Sequence, residues 1–333
     1  MKVNLKEMEQ WIRQALQRQG LTEEDAEIMT QIYVETTKRE VRHHDIHNLP
    51  SRLESLKKGT LNPRPIYTKN AAFGALERWD GDNGPGELIC HFAMGRAVRL
   101  AETHGIGMCV MKNSNHYLCS APYVLQAAEQ GCIGFIIAKG VPSMGIPGCK
   151  GNVVGQSPIG YAFPAGGQDP VMLDICLAYV SGEELAKRAR AGQEVPGWWG
   201  VDKEGKPVRT AAELMQGTKH PIGEHKGFGL AILCELLTGV LSGGLILDED
   251  EEKEGIRARS TSHCAIAIKT DALWSREEYE TRSEELLERL RNRSAGVHIP
   301  GDRSFSHIRK CEQTGETELE EELIETIKRW AEP

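Results

Sequence analysis

The densest group of titratable side chains in this 333-residue chain is His43-His44-Asp45-Ile46-His47. On a helix His43 and His47 would share a face at i, i+4, a spacing like that of the zinc-binding HExxH motif without its general-base Glu. An imidazole poised by Asp45 or another carboxylate would instead serve as a general acid near neutral pH. A plain polar helix end before Pro50 is the third reading, and spacing alone does not choose among the three. A second candidate is Asn113-Ser114-Asn115-His116-Tyr117, directly after an apolar run ending near Met111. Ligands gather at the carboxyl ends of strands in open α/β sheets, which puts His116 within reach of a substrate; a hydrogen-bonded loop histidine is the alternative.

Two glycine-containing segments add to these. Gly155-Gln156-Ser157-Pro158, with Gly160 beyond, lets backbone approach a flat or phosphorylated ligand. Pro221 to Gly229 opens a long apolar segment, and its helix start with His225 and Lys226 would make an anion site, an ordinary basic loop being the alternative. No GxGxxG and no GxxxxGK[ST] occurs, which disfavours an ordinary Rossmann dehydrogenase and a P-loop NTPase.

These residues need elements to hold them. Asn4 with Glu7, Thr22 with Asp25, Ser275 with Glu278 and Thr317 with Glu320 carry helix N-cap patterns. Helices are expected from about residue 5 to Gly20, from 23 to 40, over 121–129, and twice near the C-terminus, with Leu286, Leu287 and Leu290 facing inward. Gly105–Met111, Cys132–Ala138, Val171–Asp174 and Cys264–Lys269 read as buried strands, and strand–helix–strand order in the middle points to an α/β core. The expected division is a helical subdomain from residues 1–65 with 270–333, around an α/β cofactor- and substrate-binding domain at 66–269.

Composition narrows the class. Hydrophobic residues at 40% and charged residues at 26% suit a folded globular chain. The net charge of −8 disfavours nucleic-acid partners. Much of it lies in two acidic runs, Asp248–Glu254 and Glu316–Glu325, both outside the motifs, so the remaining body can hold an anionic ligand. Nine scattered cysteines without a CxxC pair fit free thiols in a reducing cytoplasm. Gly227–Leu247 has the length of a membrane span, but Glu235 and interior glycines make it a buried core helix, so no membrane association is expected.

Taken in order, His44-Asp45-Ile46-His47, Ser114-Asn115-His116, Gly155–Pro158, Leu173-Asp174, Val195–Gly205, His225–Leu230 and Pro300-Gly301-Asp302 resemble the malate/L-lactate dehydrogenase family of non-Rossmann nicotinamide oxidoreductases. The resemblance implies a mixed-sheet α/β fold that binds NAD or NADP beside a helical region from both termini. It implies reduction of a small anionic 2-oxo acid, or of a cyclic 2-imino acid, by a homodimer. His47 matches the proton donor and His116 the histidine beside the nicotinamide. Gln156, Ser157, Asp174, Ile175, Cys176, Lys226, Gly227, Pro300, Gly301 and Asp302 match cofactor positions. Glu183 matches the acid found in imino-acid reductases. Lys139 is basic where NAD-specific members carry an acid, which favours NADP.

Three positions depart from the pattern. Ile46 and Asn48 replace the Ser and Gly that flank the family's histidine, and Ser51 stands four residues after His47, where an Arg holds the substrate carboxylate. Either Arg52 substitutes for that arginine or the carboxylate is read by other residues. These departures also admit a non-catalytic relative that keeps only the cofactor pocket.

Overall fold

The computed structural model describes residues 1–249 and 261–332, the side chain of His43 excepted. Most of the acidic run Asp248–Glu254 thus lies outside the described residues. The chain opens on β1 (Lys2–Asn4), α1 (Leu5–Arg18) and α2 (Glu23–Lys38). Two 3-10 turns, Arg42–His44 and Ile46–Asn48, lead into α3 (Leu49–Lys57). The hairpin β2 (Thr68–Phe73) and β3 (Leu76–Asp80) precedes α4 (Gly86–His104), β4 (Ile106–Ser114), α5 (Ala121–Glu129) and β5 (Cys132–Ala138). Next come β6 (Pro142–Met144), β7 (Val154–Gly155), β8 (Ile159–Ala165), β9 (Gln168–Ile175), α6 (Gly182–Arg190), β10 (Gly200–Val201), α7 (Ala211–Gln216) and β11 (Thr218–Lys219). α8 (His225–Glu235) runs on through a π-helical turn at Leu236–Val240. The chain closes with β12 (Thr261–Lys269), α9 (Arg276–Arg291), α10 (Asp302–Thr314), β13 (Glu316–Glu318) and α11 (Glu321–Ala331).

Among the described residues the largest sheet has the order β2-β3-β4-β12-β5-β8-β9. β4 and β5 do not pair directly. β12 lies between them, antiparallel to both, so the sheet is mixed. β8 and β9 continue antiparallel from β5, while β3 runs parallel to β4. The ends of β4, β5 and β9 and the starts of β8 and β12 therefore meet at one sheet edge. That edge gathers His116, Lys139, Gln156, Cys176 and His263, residues far apart in sequence.

The helical region rests on amphipathic periodicity. Met8, Ile12 and Leu16 of α1 are fully buried, each contributing roughly 1.5–3 kcal/mol relative to exposure. They share one core with Ile324 and Ile327 of α11. The N-caps of α1, α2 and α9 form as the sequence predicts: Asn4 accepts from the Lys6 and Glu7 amides, Thr22 from Asp25, and Ser275 with Glu278 closes a capping box. Thr317 does not cap a helix. It pairs with Val3 where β13 meets β1, and α11 begins only at Glu321.

Two apolar segments differ from the sequence reading. α9 buries Leu287 beside Ala165, Val171 and Ile299, but Leu286 and Leu290 stay exposed. That helix lies on a sheet face through one narrow stripe. The segment 227–247 is not a buried core helix: Ala231 and Cys234 pack on the sheet, while Leu230, Ile232, Leu233 and Leu236 are 42–50% exposed. Among the described residues no helix is long and apolar enough to cross a membrane.

Candidate active site

The segment 42–48 is two 3-10 turns rather than one helix, so His43 and His47 share no helical face. The physical cause is Asp45, whose buried carboxylate accepts from the Arg42 amide at 2.7 Å and the His47 amide at 3.0 Å. These bonds break the helical path, and a new helix starts at Leu49-Pro50. Among the described residues no three His, Cys, Asp or Glu side chains converge as metal ligands.

The turn separates the two histidines that flank Asp45. His44 faces His116, with ring centres 5.0 Å apart. Both line a cleft of about 360 Å³ with Asn48, Ser51, Arg52, Ser55 and Glu183. His47 points the other way. Its Nδ1 lies 2.5 Å from Asp45 Oδ1 and its Nε2 2.8 Å from Glu320 Oε2. The resemblance puts the proton donor at His47; the structure turns His47 out of the cleft and places His44 there. Asp45 is the reason, because it captures both the ring and the amide of His47.

His116 is held from several sides. Its Nδ1 accepts the Leu118 amide at 3.3 Å, which leaves the ring proton on Nε2. Arg52 donates to the His116 carbonyl at 2.5 Å and to Glu87 Oε1 at 3.0 Å, and Tyr33 donates to the same Glu87 oxygen at 2.9 Å. Burial presses the Arg52 guanidinium toward neutrality, but Glu87 beside it overcomes this and raises its pKa. Arg52 therefore reaches the cleft as half of a buried ion pair, not as the free cation that a substrate-carboxylate role implies. His263 of β12 donates to the Asn115 carbonyl at 3.0 Å, and burial lowers its pKa to about 3. It is a neutral strut behind His116.

The cofactor candidates meet the same sheet edge in part. Gln156 accepts from Lys219 Nζ at 2.7 Å. Burial lowers the Lys219 pKa, and among the described residues no carboxylate pairs with it. An ammonium so placed is a fit for an anionic dinucleotide. Asp174 accepts from the Ser120 amide at 2.8 Å and hydroxyl at 2.9 Å, tying β9 to the loop that follows His116. Ile175 ends β9, and Cys176 follows it at the edge. Ser157 is buried. Lys226 is exposed at the start of α8, and Gly227 packs on the Ile222 backbone. Pro300-Gly301-Asp302 lies beside Met172 within β9, with Asp302 accepting from the Ile299 amide and Arg291.

The room at Gly155 is filled by the carbonyl of Gly140, and that at Gly160 by the Ser120 side chain, so both serve chain packing rather than ligand approach. Lys139 is buried, with its Nζ donating to the Leu247 carbonyl at 2.8 Å, so it is not presented to a ribose phosphate.

The family profile described as malate/L-lactate dehydrogenase matches residues 3–328. The chain belongs to the malate/L-lactate dehydrogenase family. This family member is 28% identical to a malate dehydrogenase of Pyrococcus abyssi over 94% of its own length and 88% of the relative's. It is 29% identical to an L-sulfolactate dehydrogenase of Methanocaldococcus jannaschii, over 94% and 91%. The solved sulfolactate dehydrogenase of Methanocaldococcus jannaschii superposes with a TM-score of 0.87, at 27% identity, covering 99% and 96% of the two chains. The delta1-piperideine-2-carboxylate reductase of Pseudomonas syringae shares the fold at TM-score 0.90 and 23% identity, covering 99% of each chain. As a member of this family, the chain is an oxidoreductase.

Sequence reasoning left out several supports of this dehydrogenase-family site. Glu87, Tyr33, Lys219 and His263 carry no motif signal, since each acts through a partner distant in sequence. Glu320 belongs to the acidic run read as lying outside the motifs, yet it contacts His47.

Proposed function

We propose that the chain interconverts a small 2-oxo acid and its 2-hydroxy acid with a nicotinamide dinucleotide, and that His44 is the proton donor in reduction. The observation that carries this reading is the pair of imidazoles, His44 and His116, on one cleft at the sheet edge. When bound, the dinucleotide supplies the hydride. Reduction builds negative charge on the substrate oxygen, and a positioned imidazolium at His44 neutralises it by proton transfer. Such general acid help is typically worth ~10²–10⁴ in rate. His116, with its proton on Nε2, orients the same oxygen. Lys219, Gln156 and Lys226 would hold the dinucleotide's anionic groups.

The departures around the histidine take a different meaning in this frame. Ile46 and Asn48 flank His47, not His44, so they do not weaken the donor. The residue four after His44 is Asn48, which lines the cleft. Asn48 then takes the place of the family's carboxylate-binding arginine, with the Arg52–Glu87 pair beside it on the cleft.

A second reading, reduction of a cyclic 2-imino acid, is favoured by Glu183. Its carboxylate stands on the same cleft, 3.1 Å from Arg190, where it would suit a cationic imine. The exposed apolar side of α8 supports a homodimer. Leu241, following the π-turn, adjoins Phe73, Leu76 and Met108 in a further apolar cleft. The free thiols suit a cytoplasmic setting.

Titration with NADH and with NADPH, followed by nicotinamide fluorescence, tests the reading and decides between the coenzymes. Turnover of a panel of 2-oxo acids and cyclic imines separates the two substrate classes. Failure to bind either dinucleotide would overturn both readings.

A further inference from the structure

We propose that Glu320, at the junction of β13 and α11, is a positioning residue that acts through His47 and Asp45 to hold the turn carrying His44 against His116. This rests on the reading of His44 as proton donor. The turn does not hold itself. Glu40 and Arg42 are non-glycine residues at φ +55° and +61°, in the left-handed region that surrounding contacts must maintain. Asp45 supplies the inner contacts, on the Arg42 amide, the His47 amide and His47 Nδ1. The Ile46 amide adds a bond to Thr37 Oγ1 at 3.3 Å.

The outer contact comes from the opposite end of the chain. Glu320 Oε2 meets His47 Nε2 at 2.8 Å, and its other oxygen lies 3.5 Å from Arg42 Nη1. One carboxylate thus touches both residues that bracket His44 and Asp45. Its mount is firm. β13 pairs with β1 from Lys2 to Asn4, and the Leu319 amide donates to the Met1 carbonyl at 3.0 Å. A loose surface acid would hold nothing in register; an acid tied to a strand pair can.

The bridge depends on charge. Both ring nitrogens of His47 face carboxylate oxygens, and both can donate only in the imidazolium form. The hydrogen bond that His47 donates to Asp45, with Glu320 adding to it, raises the pKa of His47 against its partial burial. Lys2, Glu40, Arg42, Lys310, Glu316 and Glu318 line the small cavity beside His47 and complete its electrostatic surroundings. When His47 loses its proton, one carboxylate faces a lone pair, the bridge opens, and the His44 turn loosens. His47 is therefore a positioning residue, with the donor beside it in the chain.

The test is Glu320→Gln, with Glu320→Asp as the conservative variant. Glu320 is mostly exposed, so both variants should fold. Two readouts are used. In the first, histidine-ring NMR is followed against pH without substrate. Glu320→Gln should lower the pKa of His47 and also shift or broaden the His44 resonance, and Glu320→Asp should restore part of both. A change confined to His47, with His44 untouched, overturns the proposal. In the second, steady-state rates in the reduction direction are measured. Glu320→Gln should lower kcat roughly two- to fivefold, the span that a mostly exposed ion pair can supply. Dinucleotide affinity should stay within about twofold, and the alkaline fall of kcat should move to lower pH. Unchanged kcat and pH profile also overturn it. Absence of turnover in the parent enzyme defeats the reading of function instead, and the NMR result then still decides whether Glu320 positions His44.

Discussion

The ring centre of His44 stands 5.0 Å from that of His116, and the two planes are tilted by 42°. This juxtaposition distinguishes His44 from His47, three residues on. His44→Asn should lower kcat by ~10²–10⁴ with dinucleotide binding retained. His47→Asn should cost far less, because it loosens the turn without removing the donor. Parallel kinetics and fluorescence titrations on the two variants would settle the assignment. The reverse ranking would return the donor role to His47.

Arg52 and Glu87 form an ion pair that is almost wholly buried. Arg52→Met strands a charged Glu87 in the core, at a cost of about 3–5 kcal/mol. The double variant Arg52→Met/Glu87→Gln should recover much of that loss. Urea midpoints measure both. A single variant within about 0.5 kcal/mol of the parent would show that the pair is not closed in solution.

His263 makes stability sensitive to acid. Its pKa is about 3 in the folded chain against an ordinary 6.5. The unfolded chain binds this proton as pH falls through 6.5 and the folded chain does not. Its contribution is therefore fully present above that pH and is lost as pH drops, by up to roughly 1.4 kcal/mol per pH unit. Thermal melts between pH 7 and pH 4.5 should fall more steeply for the parent than for His263→Asn. Parallel slopes would mean that His263 is protonated in the native state.

Lys219 has a neutral amide as hydrogen-bond partner. A hydrogen bond to a charged group is worth about 1.5–3 kcal/mol, so Lys219→Met should weaken dinucleotide binding roughly tenfold or more. Affinity should fall with added salt more steeply in the parent than in the variant. Equal affinities would remove Lys219 from the cofactor site.

In the proposed homodimer, the exposed apolar side of α8 is the partner surface. Leu233→Glu with Leu236→Glu should turn a dimer into monomers in sedimentation velocity, with helix content by circular dichroism unchanged. A monomeric parent chain would refute the homodimer.

Much of the frame was legible in the sequence because it is encoded locally. The caps at Asn4, Thr22 and Ser275 involve residues three apart, and the apolar runs ending near Met111 and Ala138 are strands because of their own side chains. The order of short motifs pointed to the family, and the position of His116 just beyond a strand could be read from the apolar run before it. Where a segment's surroundings matter, the sequence reading failed. The apolar run after Gly227 was read as core, yet an apolar face covered by sheet on one side and a bare apolar face on the other have the same composition.

What the sequence by itself determined, then, is the inventory: His44 and His47 among the histidines around Asp45, His116 after a strand, and an arginine nearby. Tertiary structure alone decided where they point. The side that each histidine takes depends on Asp45 closing a non-helical turn, and on Glu320, which reaches His47 from 273 positions away. Arg52 became half of an ion pair because α4 brings Glu87 beneath it. Side-chain direction and charge compensation are set by neighbours in space, and no spacing along the chain encodes them.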